Sequence, residues 1–284
     1  DGEIGYYQKT INDMFFSRRV GPSAGYAQLD VNDGSIMTSG VEFDIDFNIV
    51  NTRDASLSIG IIGESFAEEF KALPLDPSTG LEQKFQVDGL YGWETGRSRY
   101  EYYIREYAGV DPQTGKAQWY MNFVDNDFDG EYTEGDEIVQ SLTQYLLDNP
   151  EATIAETTTD VYNDASRRFV DKTFIPDVRG AFRVNASVKN FSLSVLFNYS
   201  LGGYIFDNGY QLLMDNENPG NNAFHVDMRD RWQNVGDITD VPIYDANLQV
   251  NQNGSSTRFL TKGDYIALNN VRFGYTLPSD FINK

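Results

Sequence analysis

No cysteine occurs among the 284 residues, so neither a disulfide framework nor thiolate chemistry is available. Histidine occurs once, at His225. With no Cys and one His, zinc sites are nearly excluded. A Ser-His-Asp triad would have to use His225, which lies in a long polar segment without a nucleophile-elbow motif. Cations are scarce: 22 Lys and Arg stand against 43 Asp and Glu, a net charge of -21. That balance argues against nucleic acid, whose phosphates need Lys and Arg, and against docking on an anionic membrane face. No apolar run is long enough for a membrane-spanning helix. A β-barrel escapes that test, because only every second residue of a strand faces lipid. Walker A and dinucleotide fingerprints are absent. Carboxylates are too abundant to single out a glycosidase pair.

What is present is alternation. In Phe182 to Val188 the apolar residues fall on even numbers, and in Phe191 to Tyr199 on odd ones, with Lys189-Asn190 between. A two-residue turn pairs residues whose numbers have a constant sum. That predicts Val188 opposite Phe191, Ala186 opposite Leu193, Val184 opposite Val195 and Phe182 opposite Phe197. Every apolar residue meets an apolar partner on one face, and Arg183, Asn185, Ser187, Ser192, Ser194 and Asn198 fill the other. The same logic pairs Ile49 with Leu57, Phe47 with Ile59 and Ile45 with Ile61, leaving Glu42, Asp44 and Asp46 on the polar face. Further strands are predicted at about residues 3 to 11, Tyr100 to Ala108, Ala117 to Phe123, and along Tyr265, Ala267, Val271, Phe273, Tyr275 and Leu277. Such strands fit a soluble sandwich or a wall between lipid and a watery lumen.

The connections decide between these two. Short ones at 51–55, 109–116 and 189–190 alternate with long ones at 12–39, 64–98, 125–179 and 201–263. Strict alternation puts tight turns at one end of a sheet and large loops at the other, the pattern of an outer-membrane barrel. A Greek-key sandwich scatters long connections over both ends. Aromatics at 14% suit strands and interface girdles. Arg183, Asn185, Glu42, Asp44 and Asp46 are then expected to face the lumen. Between Met121 and Ser166 stand twelve Asp or Glu and no Lys or Arg, a composition that belongs in water.

Within that stretch, Asp125-Asn126-Asp127-Phe128-Asp129-Gly130-Glu131 opens like a D-x-D-x-D-G calcium loop. Asp125, Asp127 and Asp129 aim three hard oxygens at one centre, Gly130 permits the sharp turn, and Glu131 offers its carbonyl. The twelfth position is Asp136, where an EF-hand carries a bidentate Glu, and the loop leaves a strand rather than a helix. A Ca²⁺ ion in the 125–136 loop is one reading; an acidic, solvated loop is the other. Calcium there would stiffen a long loop and have no catalytic part. Tyr91, Trp93, Tyr204, Tyr210 and Trp232 lie in or near the long loops, where aromatic faces either stack on sugar rings or pack the loops themselves.

Several strings resemble the C-terminal barrel of SusC/RagA-family TonB-dependent outer-membrane transporters of the Bacteroidota. They are Asp177-Val178-Arg179-Gly180-Ala181-Phe182 and the hairpin after it, Tyr199-Ser200-Leu201-Gly202-Gly203-Tyr204-Ile205-Phe206-Asp207, and Arg229 to Asp237 followed by Asp240-Val241-Pro242. Arg258-Phe259-Leu260 through Gly274-Tyr275-Thr276-Leu277-Pro278 and Tyr103 to Pro112 belong with them. The family's N-G-x-E step reads Ser39-Gly40-Val41-Glu42 here, with Ser in place of Asn. These strings occur in the family's order along nearly the whole chain.

The resemblance implies an all-β, antiparallel transmembrane β-barrel segment, about eight strands of a 22-stranded barrel, with long extracellular loops and short periplasmic turns. Residues 1–284 would be part of the C-terminal barrel domain, with the plug domain and last strands outside the chain. It implies an importer of oligosaccharide or peptide, not an enzyme. Its partners would be a SusD-like surface lipoprotein as lid, TonB through the missing N-terminal part, and outer-membrane lipid, with no nucleic acid. Two other readings stand beside it: a soluble, calcium-stabilised β-sandwich that binds glycan at the cell surface, and a secreted hydrolase.

Overall fold

The structure, a computed structural model, describes residues 1–19, 25, 28–76, 79–215 and 223–278. Ile282-Asn283-Lys284, read from sequence as following a strand, lie outside them. Six strands form one antiparallel sheet, the wall: Gly2–Asn12, Ser35–Asn51, Ala55–Ala72, Val178–Val188, Phe191–Leu201 and Tyr265–Tyr275. They lie side by side in chain order. Tight turns at 52–54 and 189–190 close one end. Excursions 13–34, 73–177 and 202–264 all leave from the other. The two tight turns touch, since Lys189 N–H donates to the Asp54 carbonyl at 2.7 Å.

The predicted register of the 182–199 hairpin holds pair for pair, from Val188 opposite Phe191 to Phe182 opposite Phe197, whose rings stack with centroids 4.6 Å apart. Phe47 faces Ile59 and Ile45 faces Ile61, as alternation predicts. Two of the wall's three register shifts alter the predicted pairs. One lies between Asn48 and Val50, so Leu57 meets Val50 instead of Ile49. The other lies between Asn270 and Leu268, opposite Leu196 and Phe197. An extra residue inverts the side-chain period. Above this second bulge Ile266 and Leu268 therefore join the apolar face, while Tyr265 and Ala267, predicted for that face, move to the polar one.

Among the described residues the wall holds six strands, not about eight. The predicted Tyr100–Ala108 strand is broken at Glu106 into Glu101–Arg105 and Tyr107–Val110, and these and Ala117–Val124 belong to smaller sheets inside the 73–177 excursion. Glu101–Arg105 pairs with Arg167–Thr173 and Tyr91–Glu94; Ala117–Val124 pairs with Tyr107–Val110, Glu137–Val139 and Ile154–Thr159. Alternation reports a half-buried strand without reporting which core buries it. The turn at 109–116 is accordingly a turn of the excursion, and the short–long alternation of the wall survives without it.

The distribution of burial is the reverse of a soluble sandwich. Apart from Ile36 and Phe70, at the excursion end of their strands, every buried apolar residue lies in the excursions, including Tyr102, Tyr103, Trp119, Met121 and Phe123. The apolar face of the wall is bare: Ile4, Tyr6, Phe47, Val188, Ile266, Leu268, Val271 and Phe273 are all more than half exposed. Among the described residues no second sheet covers it. An exposed apolar face this continuous marks a surface meant for lipid or for another protein. Eleven-residue strands such as Phe191–Leu201, rising roughly 3.3 Å per residue and tilted about 40°, span about 25 Å, the height of a bilayer's apolar band.

The excursions pack on one another. Trp232 Nε1–H donates to the Pro112 carbonyl at 3.0 Å, Trp119 Nε1–H to the Asn251 carbonyl at 2.9 Å, and the Tyr107 hydroxyl to the Asp240 carbonyl at 2.9 Å. Each indole or phenol buries its ring and delivers its one polar atom to backbone.

Candidate functional site

The opposite, polar face of the wall carries the groups predicted for a lumen. Glu42, Asp44, Asp46, Ser56, Ser58, Arg179, Arg183, Asn185 and Ser194 share it by register. Arg183 bridges two strands: its Nη2 donates to Asp44 Oδ1 at 2.9 Å and to Asp46 Oδ2 at 2.6 Å. The strand Ala55–Ala72 runs between these partners, and Gly60 is the residue directly between Asp46 and Arg183. A Cβ on Gly60 would sit 2.4 Å from both Arg183 Nε and Asp46 Oδ1. The bridge exists because that position has no side chain. Two rows nearer the excursions, Arg179 Nε donates to Glu64 Oε1 at 2.6 Å. Around this pair a shallow groove of about 600 Å³ is lined by Glu3, Glu42, Asp44, Asn198 and Tyr265.

On the apolar face a second glycine pair does comparable work. Gly63 and Gly180 are cross-strand neighbours, flanked by Phe43 and Tyr199. The two rings lie over the glycines, and the Tyr199 hydroxyl donates to the Ile62 carbonyl at 3.1 Å. A phenol on an apolar face thereby has its polar atom satisfied. Sequence reading missed both devices. Their signal was a glycine at a strand position where alternation expects a side chain.

The acidic loop is closed by a hairpin. Val124 pairs with Glu137, which leaves residues 125–136 as the loop. Asp125, Asp127 and Asp136 each bring one carboxylate oxygen within 4.8 Å of the others. Asp129 and Glu131 stand outside this trio: Asp129 Oδ1 accepts from the Glu131 N–H at 2.7 Å. Gly130, at φ +79°, turns its N–H inward to Asp125 Oδ2 at 3.0 Å. Asp136 Oδ2 accepts from the Thr133 N–H at 2.9 Å and Oδ1 from the Asn126 N–H at 3.0 Å, bonds that hold its carboxyl below the usual range. Asp127 is pushed up, first by loss of solvent and then by the negative charges of Asp129 and Asp136.

The five aromatics singled out near the long loops all pack. Trp93 lies against Phe16 and Phe70 and donates to the Arg99 carbonyl. Tyr91 meets Tyr100 and Tyr102, and Tyr204 joins the cluster of Tyr102 and Ile104. Tyr210 packs beside Phe259, and Trp232 covers Gly115. His225 sits edge-on to Tyr210, and its Nδ1 accepts the Asp227 N–H at 3.3 Å at the start of a short 3₁₀ turn.

No protein-family profile matches the chain. It is similar to TonB-dependent receptor P39 of Formosa agariphila, with 24% identity over 98% of the chain and 28% of the relative. It is also similar to TonB-dependent receptor P3 of the same organism, with 27% identity over 98% of the chain and 25% of the relative. The chain thus spans about a quarter of the length of these curated relatives. Its fold matches the RagAB peptide transporter with a TM-score of 0.73 and 22% identity, over 100% of this chain and 28% of that one. The RagAB peptide importer in its closed-closed state gives a TM-score of 0.74 at 22% identity, over 99% of the chain and 27% of that one. The resemblance read from the motifs is borne out, and the wall matches part of the antiparallel barrel of these neighbours, not closed within this chain.

Proposed function

We propose that residues 1–284 form part of the C-terminal barrel of a TonB-dependent outer-membrane importer. The bare apolar face of the wall carries this reading. A six-stranded sheet with one face of exposed Ile, Phe, Val and Leu and the other of ion-paired Asp, Glu and Arg is built to stand between lipid and water. The three excursions, gathered at one end, supply the outer mouth. This end is where cargo and a lid would meet the barrel. The cargo class proposed is oligosaccharide or peptide, and the lid a SusD-like lipoprotein. The peptide-transporting neighbour supports an importer with a partner subunit. Energy would come through TonB acting on a plug that precedes this segment. The chain itself contributes wall and mouth, and no chemical step.

The wall's ion pairs fit this role. A lumen needs fixed, hydrated polar groups, and paired charges hold their side chains against the sheet instead of across the channel. Extraction of the native protein in detergent, followed by intact-mass measurement, tests the proposal. A species three to four times the 32.1 kDa of this chain, of the order a 22-stranded barrel with its plug requires, is expected with a lipoprotein attached. A soluble, partner-free protein of this chain's own mass would overturn it.

A further inference from the structure

The 125–136 loop carries chemistry that transport does not use. Seven of the residues from Asp125 to Glu137 are acidic and none is basic. An acidic run on a surface is ordinarily just solvated. Asp125 is not on the surface: it is 7% exposed, at the foot of the loop, where its N–H donates to the Thr153 carbonyl. Its Oδ2 takes the Gly130 N–H, but its Oδ1 is shut from solvent with no hydrogen-bond partner. A buried carboxylate oxygen without a donor is costly. It belongs to the side chain that anchors a trio of carboxylates within 4.8 Å of one another.

We propose that this loop is a calcium site whose side-chain ligands are Asp125, Asp127 and Asp136. The hairpin explains why Asp suffices at the twelfth position. In a helix–loop–helix calcium site the last ligand reaches in from a departing helix, and the longer Glu is needed. Here Val124 and Glu137 are paired across two antiparallel strands, so the first and last loop residues are neighbours and a shorter side chain arrives. Hard carboxylate oxygens on an adaptable loop suit Ca²⁺ over Mg²⁺, which demands a tight octahedron and sheds water reluctantly. Tyr132 of the same loop packs edge-on against the fully buried Phe123, with centroids 5.5 Å apart. Binding would therefore fix the loop on the core of the 73–177 excursion and leave Phe128, 75% exposed, at the tip.

The site stands apart from the transport reading and holds for a soluble protein equally. The test uses the native protein in detergent, passed over a chelating resin and re-equilibrated with CaCl₂ alone. Elemental analysis is expected to find one Ca²⁺ per chain fewer in Asp125→Asn and in Asp136→Asn than in the wild type. Asp129→Asn, outside the trio, should retain it. Chymotryptic cleavage after Phe128 or Tyr132 in the wild-type protein should slow about tenfold in millimolar Ca²⁺ and recover with EGTA. MgCl₂ at the same concentration should not protect. If the Asn variants fail to assemble, the wild-type cleavage rates decide alone. Equal metal content in wild type and both assembled Asn variants, or cleavage indifferent to Ca²⁺, would overturn the site.

Discussion

Replacing Val195 by Arg puts a guanidinium on the bare face of the wall. Val195 pairs with Val184 on one side and Val271 on the other, in a row that continues through Ile59 to Phe47. It is the fifth residue of Phe191–Leu201, counted from the tight turn. Four steps of about 3.3 Å along a strand tilted by about 40° put it roughly 10 Å above the turn end of the band, near the bilayer middle. An Arg there costs about 2–4 kcal/mol, falling toward zero at the interfaces. That corresponds to a loss of about 30- to 1,000-fold in the folded-to-unfolded ratio in membranes. Phe47→Arg, in the same row, should behave alike. The matched control is Ser58→Arg. Ser58 is adjacent to Ile59 in sequence but lies on the polar face between Asn48 and Asn185, so its cost should stay within about 0.5 kcal/mol. The assay is urea titration of the native protein in lipid vesicles, read by the heat-modifiable folded band. A soluble sandwich with its apolar face buried against protein would also reject Val195→Arg, but it would not need lipid to fold. Equal tolerance of Val195→Arg and Ser58→Arg in vesicles would refute the assignment of faces.

Three further outcomes follow from particular contacts. Gly60→Val drives a Cβ into Arg183 and Asp46 and should cost about 2 kcal/mol, with Arg183→Ala recovering much of it in a double-mutant cycle; full additivity would show that the bridge does not cross at Gly60. Gly115→Ala, at φ +73° with the Trp232 ring 2.4 Å from the new Cβ, should cost about 1–2 kcal/mol for the left-handed backbone alone and red-shift Trp232 emission; an unchanged spectrum would refute the contact. The Asp111 carboxyl is held below its ordinary value by the Thr114 hydroxyl and the Gln113 N–H. Its contribution is present above the ordinary carboxylate range and lost as pH falls through the lowered value, so acid should loosen this turn. In Asp111→Asn the acid-dependent part of the Trp232 fluorescence change should vanish, and its persistence would assign that change to other groups.

Local pairing was legible because a side-chain period of two leaves few choices. Between Phe182 and Phe197 one turn length satisfies every apolar pair, and the structure adopts it. The acidic loop was legible for the same kind of reason: Asp at alternate positions followed by Gly has few uses. Its inner geometry was not. The approach of Asp136 to Asp125 and Asp127 depends on the strand pair Val124–Glu137, a register that composition does not carry.

By itself, the sequence determined the strands of the wall, the polarity of their faces away from the bulges and the order of tight turns and long excursions, since these are local patterns read by every strand against its own neighbours. Only the tertiary structure decided which strands share the wall. Ala117–Val124 alternates as cleanly as Phe191–Leu201, yet Trp119 and Phe123 are fully buried by protein while Phe191 is half exposed. Only the fold revealed the bulge that sends Tyr265 to the polar face and the empty place at Gly60 through which Arg183 reaches Asp46. Alternation specifies that a face is apolar; what covers that face, a protein core or lipid, is settled by contacts between residues far apart in the chain.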